Sequence, residues 1–154
     1  MLQTRALTEQ PTAVRRALLR PDQLIDWVPL ACAVVAEHLR HHGIAPAGFP
    51  FARSHRVHSF LLEVEAGFPV ATPVAPSGLV DRSALPGGLA LAGWHRGPHE
   101  TVDLTYQEIH DWLETRGAIR TGDGWEIYHD LPTCDHLGTR IEIIQPVSLV
   151  PAMV

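Results

Sequence analysis

The feature that most constrains this chain is an internal repeat. The stretch "GIAPAGFPFARSH" from Gly43 lies over "GAIRTGDGWEIYH" from Gly117 without a gap, which sets Gly43 on Gly117, Gly48 on Gly122, Phe51 on Trp125 and His55 on His129. Farther along, "EVEAGFPV" matches "RIEIIQPV", with Glu65 on Glu142 and Pro69-Val70 on Pro146-Val147. Self-similarity over such a period points to two like-built supersecondary units.

The order of elements repeats as well. "TAVRRALL" reads as a strand, in place by about Val14. "DWVPLACAVVAEHLRHHG" reads as a helix with Pro29 in its first turn, an apolar set of Leu30, Val34, Val35 and Leu39, and Gly43 as its stop. "FPFARSHR" and "HSFLLEVEAGFPVA" are strands; in the second, Leu62, Val64, Ala66 and Phe68 alternate with Glu63 and Glu65. "TPVAPSGLVDRSALPGG" is a turn-rich connection with room for a short edge strand. The second half opens with a strand, "LALAGWHR". A helix follows, "TVDLTYQEIHDWLETRG", with capping-box spacing at Thr105 and Glu108, a stripe of Ile109, Trp112 and Leu113, and Gly117 at its end. "WEIYHD" and "TRIEIIQPV" are its last strands. The expectation is an α+β protein of duplicated βαββ units with pseudo-two-fold symmetry. One helix covers antiparallel sheet in each unit, and a cleft runs along the axis. The repeats span about residues 10–75 and 84–150 of a single domain covering 1–154.

Composition narrows the function. With 45% hydrophobic and 19% charged residues the chain is suited to a packed core. A formal net charge of −5, with no long basic run, argues against a nucleic-acid surface. Two cysteines, Cys32 and Cys134, form no Cys-x-x-Cys and suit a reducing cytoplasm. There is neither a signal-like apolar start nor an apolar run long enough for a membrane span, so a cytoplasmic protein without a membrane partner is expected.

One residue stands out chemically. Glu126 lies in "GWEIYHD", a run that otherwise reads as a short buried strand, and a buried carboxylate has to be paired. Strand periodicity sets Glu126 and Tyr128 on one face and Trp125 and Ile127 on the other. Ala52 takes the equivalent place in the first half. One acidic wall against one small wall suits a binding site. Trp94, Trp112 and Tyr106 divide evenly between core and pocket, and Phe51 and Phe68 are equally ambiguous. The histidines suggest metal pairs at His55 and His58, His95 and His99, or Cys134 and His136, yet no set of three or four has ligand spacing. Neither a metal nor a cofactor is expected. His55 and His95 suit hydrogen-bonding roles in a pocket. No serine has a nucleophile-elbow context, and Cys32, among Ala and Val on a helix, reads as packing.

Taken together, "FPFARSHR…LLEVEAGFPVA", "LPGGLALAGWHRGPHET", "IHDWLETRG", "WEIYHDLP" and "TRIEIIQPV" resemble the GyrI-like small-molecule-binding domain, which is also the effector-binding module of many AraC- and MerR-type regulators. The resemblance runs from Val14 to Val147. It implies the duplicated βαββ fold and a central cleft for apolar, aromatic or cationic compounds, with Glu126 as the pocket carboxylate. The sequence departs from the pattern at Ser54, where many relatives are aromatic, at His129, and at Gly97-Pro98-His99 in place of Gly-Pro-Tyr. No helix-turn-helix precedes the first expected strand.

Three functions follow as expectations. The first is a stand-alone small-molecule-binding protein, a monomer or homodimer, with ligand contacts from Glu126, Tyr128, Trp94, His95, Trp112, His55, Phe51 and Phe68. The second is a hydrolase of cyclopropane-bearing genotoxins, for which Glu126 and Tyr128 are the catalytic pair. The third is an inhibitory protein–protein interaction module.

Overall fold

A computed structural model of the chain describes residues 2–98, 101–130 and 140–149. His99, Cys134 and His136 lie outside the described residues. The elements are β1 (Leu2–Leu7), β2 (Gln10–Leu19), a 3-10 turn (Pro21–Gln23), α1 (Leu24–His41), β3 (Phe51–His58), β4 (Leu61–Pro69), β5 (Asp81–Leu85), β6 (Gly88–Arg96), α2 (Val102–Arg116), β7 (Ile119–Arg120), β8 (Trp125–Tyr128) and β9 (Arg140–Ser148). The chain divides into two compact units, Thr8–Gly87 and Met1–Leu7 with Gly88–Val154.

In the contiguous unit the strands run in the order β3-β4-β2-β5, all antiparallel. Alternation along β4 is as expected: Leu62, Val64 and Ala66 are buried, while Glu65 pairs with Arg16 at 2.9 Å on the opposite face. The helix α1 buries Val28, Ala31, Cys32, Val35 and Leu39, a stripe with helical spacing. Val35 and Leu39 pack with Ala13, Val70, Val74 and Val80, and Phe68 joins them from the side. Leu30, expected in the stripe, is 67% exposed. The helix starts earlier than expected, at Leu24, so Pro29 lies inside it rather than in its first turn. The carbonyl that Pro29 leaves without an amide belongs to Ile25, which is exposed and can be hydrated. Cys32 is a free, buried thiol, pushed up to about 12 by that burial.

In the other unit the order is β1-β6-β9-β8, again antiparallel, with β7 also paired to β9. The strand β1 was not foreseen: "LQTRAL" has no buried alternation, and it is defined by its pairing to β6, from Leu2 opposite Gly93 to Leu7 opposite Gly88. The helix α2 buries Val102, Thr105, Ile109 and Leu113. The expected capping box at Thr105 and Glu108 does not form. The helix begins a turn earlier, with Thr101 at the N-cap, and Thr105 is drawn into the packing between helix and sheet.

The repeat is visible in hydrogen bonds. Both helices end on a left-handed glycine, Gly43 at φ +67° and Gly117 at φ +61°. In each, the next amide reaches back five residues, Ile44 to Leu39 at 2.9 Å and Ala118 to Leu113 at 3.0 Å. That is the same C-terminal capping motif made twice. Strand register agrees too: Glu65 lies opposite Arg53 and Glu142 opposite Ile127, the positions the ungapped overlay equates.

Gly67 fixes how closely β4 approaches β2. A Cβ there would lie 2.0 Å from the Ala13 carbonyl oxygen and 2.9 Å from the Val14 Cα, both backbone atoms that cannot swing aside. Gly67→Ala is therefore expected to destabilise the protein by about 3 kcal/mol, the upper end for overpacking. Chemical denaturation measures the loss; a change below about 1 kcal/mol would show that the strands can separate.

Candidate functional site

The site-bearing strand is β8. Glu126 pairs in register with Ile143 and Tyr128 with Ile141, while Trp125 and Ile127 pair with Ile144 and Glu142. Cross-strand partners share a face, so Glu126, Tyr128, Ile141, Ile143, Gly93 and His95 project to one side. The helix α2 covers that side: a Cβ on Gly93 would meet Thr105 Cγ2 at 3.4 Å and Ile109 Cδ1 at 3.9 Å.

Glu126 is half-buried, and each of its carboxylate oxygens accepts a phenol hydroxyl. Tyr128, two residues along the strand, donates to Oε1 at 2.9 Å. Tyr106, from the second turn of α2, donates to Oε2. Among the described residues no cationic side chain pairs with Glu126. Its hydrogen-bond partners are neutral phenols, which do not cancel a carboxylate charge. Burial of the hydroxyl end, and then the neighbouring Glu126 charge, push the Tyr106 ionisation well above the ordinary tyrosine range. The residue as a whole is 39% exposed, and its aromatic side chain borders the carboxylate.

The other candidates are dispersed. His95 is on the same face but buried under the start of α2, with Nε2 2.8 Å from the Pro98 carbonyl oxygen. Trp94 is on the opposite face, its ring 4.6 Å from that of His129. Also on that face is Glu142, buried and paired to Arg5 at 2.7 Å, with His129 Nε2 3.6 Å from its other oxygen. Trp112 flanks the buried stripe of α2 under the Arg116 guanidinium, 4.3 Å from the ring centre. Phe51 is fully buried, Phe68 packs at the margin of the α1 core, and His55 is on the exposed part of β3 opposite Glu63. Tyr106, which sequence reasoning left undecided along with Trp94 and Trp112 and did not count among the ligand contacts, is the one bonded to Glu126. Its signal was its place beside Thr105 on the helix, which acquires meaning only once the rotation of α2 is known. Among the described residues no three of His, Cys, Asp and Glu gather as metal ligands. No helix among them is long and apolar enough to cross a membrane.

The fold is shared with several solved structures of low sequence identity. The C-terminal domain of EcmrR matches with a TM-score of 0.79 at 19% identity, over 97% of this chain and 98% of that one. EcmrR in its complex with DNA matches with a TM-score of 0.83 at 19% identity; 97% of this chain is covered, and it spans 58% of that longer one. A hydrolase from Listeria innocua (TM-score 0.65, 15% identity, 96% of this chain and 91% of that) has the same fold. So does SAV2435 bound to tetraphenylphosphonium, with a TM-score of 0.66 at 12% identity over 96% of this chain and 94% of that one. No curated protein matches the sequence. The family model of the GyrI-like small molecule binding domain matches residues 35–147, and the chain belongs to that family.

The paired phenols make a spectroscopic prediction. Tyr106 keeps its proton in the folded protein beyond pH 10, where an unfolded tyrosine ionises. Its contribution to stability is therefore complete below pH 10 and is lost as the pH rises towards the higher folded value. In an alkaline absorbance titration, a phenol component should ionise late and disappear in Tyr106→Phe. An unchanged late component in that variant would mean that the late-ionising phenol is not Tyr106.

Proposed function

We propose that the protein is a receptor or sequestering protein for an aromatic cation, with the Glu126 carboxylate as its charge-selecting group. The observation that supports this is the pairing of Glu126 with Tyr106 and Tyr128 and with no cationic side chain among the described residues. A half-buried anion held only by neutral donors keeps its negative potential for an incoming cation. Tyr106, 39% exposed and bonded to the carboxylate, supplies an aromatic ring beside it, and a cation over such a ring gains about 0.5–2 kcal/mol. Apolar burial supplies the rest of the affinity. Tetraphenylphosphonium, present in the SAV2435 complex, is a suitable probe.

Charge selection is tested with two ions of one shape. Tetraphenylphosphonium should bind and raise the melting temperature, tetraphenylborate should not, and Glu126→Gln should weaken the phosphonium about tenfold, roughly 1.4 kcal/mol. Equal binding of both ions, or undiminished phosphonium affinity in Glu126→Gln, would remove Glu126 as the selecting group.

The second reading is hydrolysis of an electrophilic, cyclopropane-bearing natural product at the same carboxylate. It is favoured by the direct contact of one carboxylate with two hydroxyls, an arrangement able to exchange protons. Chromatography of such a substrate incubated with protein decides it, since this reading requires a ring-opened hydrate that forms faster than in buffer and slows in Glu126→Gln.

A further inference from the structure

The imidazole of His95 is buried, on the same face of the sheet as Glu126, and lies close to polar groups of Pro98, Thr101 and Thr105. Its Nε2 is 2.8 Å from the Pro98 carbonyl oxygen, which can only accept, so Nε2 carries the proton. The Thr101 hydroxyl is 3.2 Å from the same nitrogen and itself donates to Pro98 at 2.9 Å. Nδ1 is then an acceptor, with the Thr105 hydroxyl at 3.5 Å. One ring thus links a strand to the turn before α2, to the N-cap of α2, and to its second turn.

We propose that His95 is a positioning residue, which fixes the start and rotation of α2 and thereby delivers the Tyr106 hydroxyl to Glu126. Packing of Val102 against the sheet leaves the hydrogen-bonded ends of the first turn to be fixed. Thr101 at the N-cap makes no capping hydrogen bond, its hydroxyl being turned back to Pro98. Thr105, held by His95 and seated 3.4 Å over the Cβ position of Gly93, immediately precedes Tyr106. A slip of one residue turns an α-helix by about 100° and advances it about 1.5 Å, enough to carry a phenol away from its acceptor. His95 cannot act on Glu126 directly. It is paired through Ile141 of β9 to Tyr128 of β8, so two strand spacings, about 9.5 Å, separate the two rows.

The binding arm of the test rests on the proposed role of Glu126, whereas the spectroscopic arm does not. In His95→Phe, which fills the space without the hydrogen bonds, the late-ionising phenol should return towards the ordinary range while cooperative unfolding persists. Tetraphenylphosphonium affinity should fall about three- to tenfold, the effect of one or two hydrogen bonds. In a Tyr106→Phe background the same substitution should change affinity no further, and His95→Gln, which keeps a donor for Pro98, should restore part of the late titration. If His95→Phe does not fold, Thr101→Val and Thr105→Val carry the test with the same readouts. A folded His95→Phe with an unaltered Tyr106 titration would overturn the proposal. So would an equal loss of affinity in the Tyr106→Phe background. Failure of tetraphenylphosphonium to bind the unsubstituted protein would instead overturn the ligand reading and leave the titration to decide His95.

Discussion

A carboxylate set half inside a protein has to find hydrogen-bond donors, and the unit that carries Glu126 is arranged around that requirement. One donor, Tyr128, comes at no topological cost, since residues two apart on a strand share a face. The other, Tyr106, requires a helix lying across the sheet at one height and one rotation. Gly93 lets α2 come close, and His95 ties its first turns to β6. Each of these features has an ordinary structural explanation. They converge on one oxygen pair held by neutral partners, the arrangement on which the proposed function rests.

The two units show how a duplicated framework supports unequal chemistry. Their helix-ending glycines and strand registers correspond, and both have a buried aromatic at the matched positions Phe51 and Trp125. They differ one residue later. Ala52 is buried and small, and Glu126 is acidic and paired. A second difference is in the matched glutamates. Glu65 is on an accessible face with Arg16, Ser83 and Asp81 around it, whereas Glu142 is enclosed by Arg5 and His129. The shared positions maintain backbone geometry; the divergent ones set the charge distribution.

Much of this could be read from residue order because it depends on local periodicity. The alternation of β4, the shared face of Glu126 and Tyr128, and the glycine stop of each helix are properties of short segments, and the structure has them. What the sequence concealed depends on distant partners. The strand β1 has no apolar alternation of its own and exists through its ladder to β6. Thr105 has the spacing of a cap but is buried against His95, because tertiary packing outweighs a capping preference of about 1 kcal/mol. Leu30 fits a helical stripe on paper yet is exposed, since α1 is rotated to bury Val28, Ala31 and Val35 instead. Tyr106 could not be assigned for the same reason: helix rotation is decided by the sheet beneath it.

The partition of the chain has a temporal consequence. Thr8–Gly87 is continuous, so its strands and helix can pair as soon as they emerge from the ribosome. The other unit draws its edge strand from Leu2–Leu7 and its remainder from beyond Gly88, and closing that span carries the entropic cost of a long loop unless the intervening segment is already compact. The earlier-made half therefore acts as a tether that shortens the distance β1 must search. That unit is completed last, after β9 has been synthesised and β1 has docked onto β6.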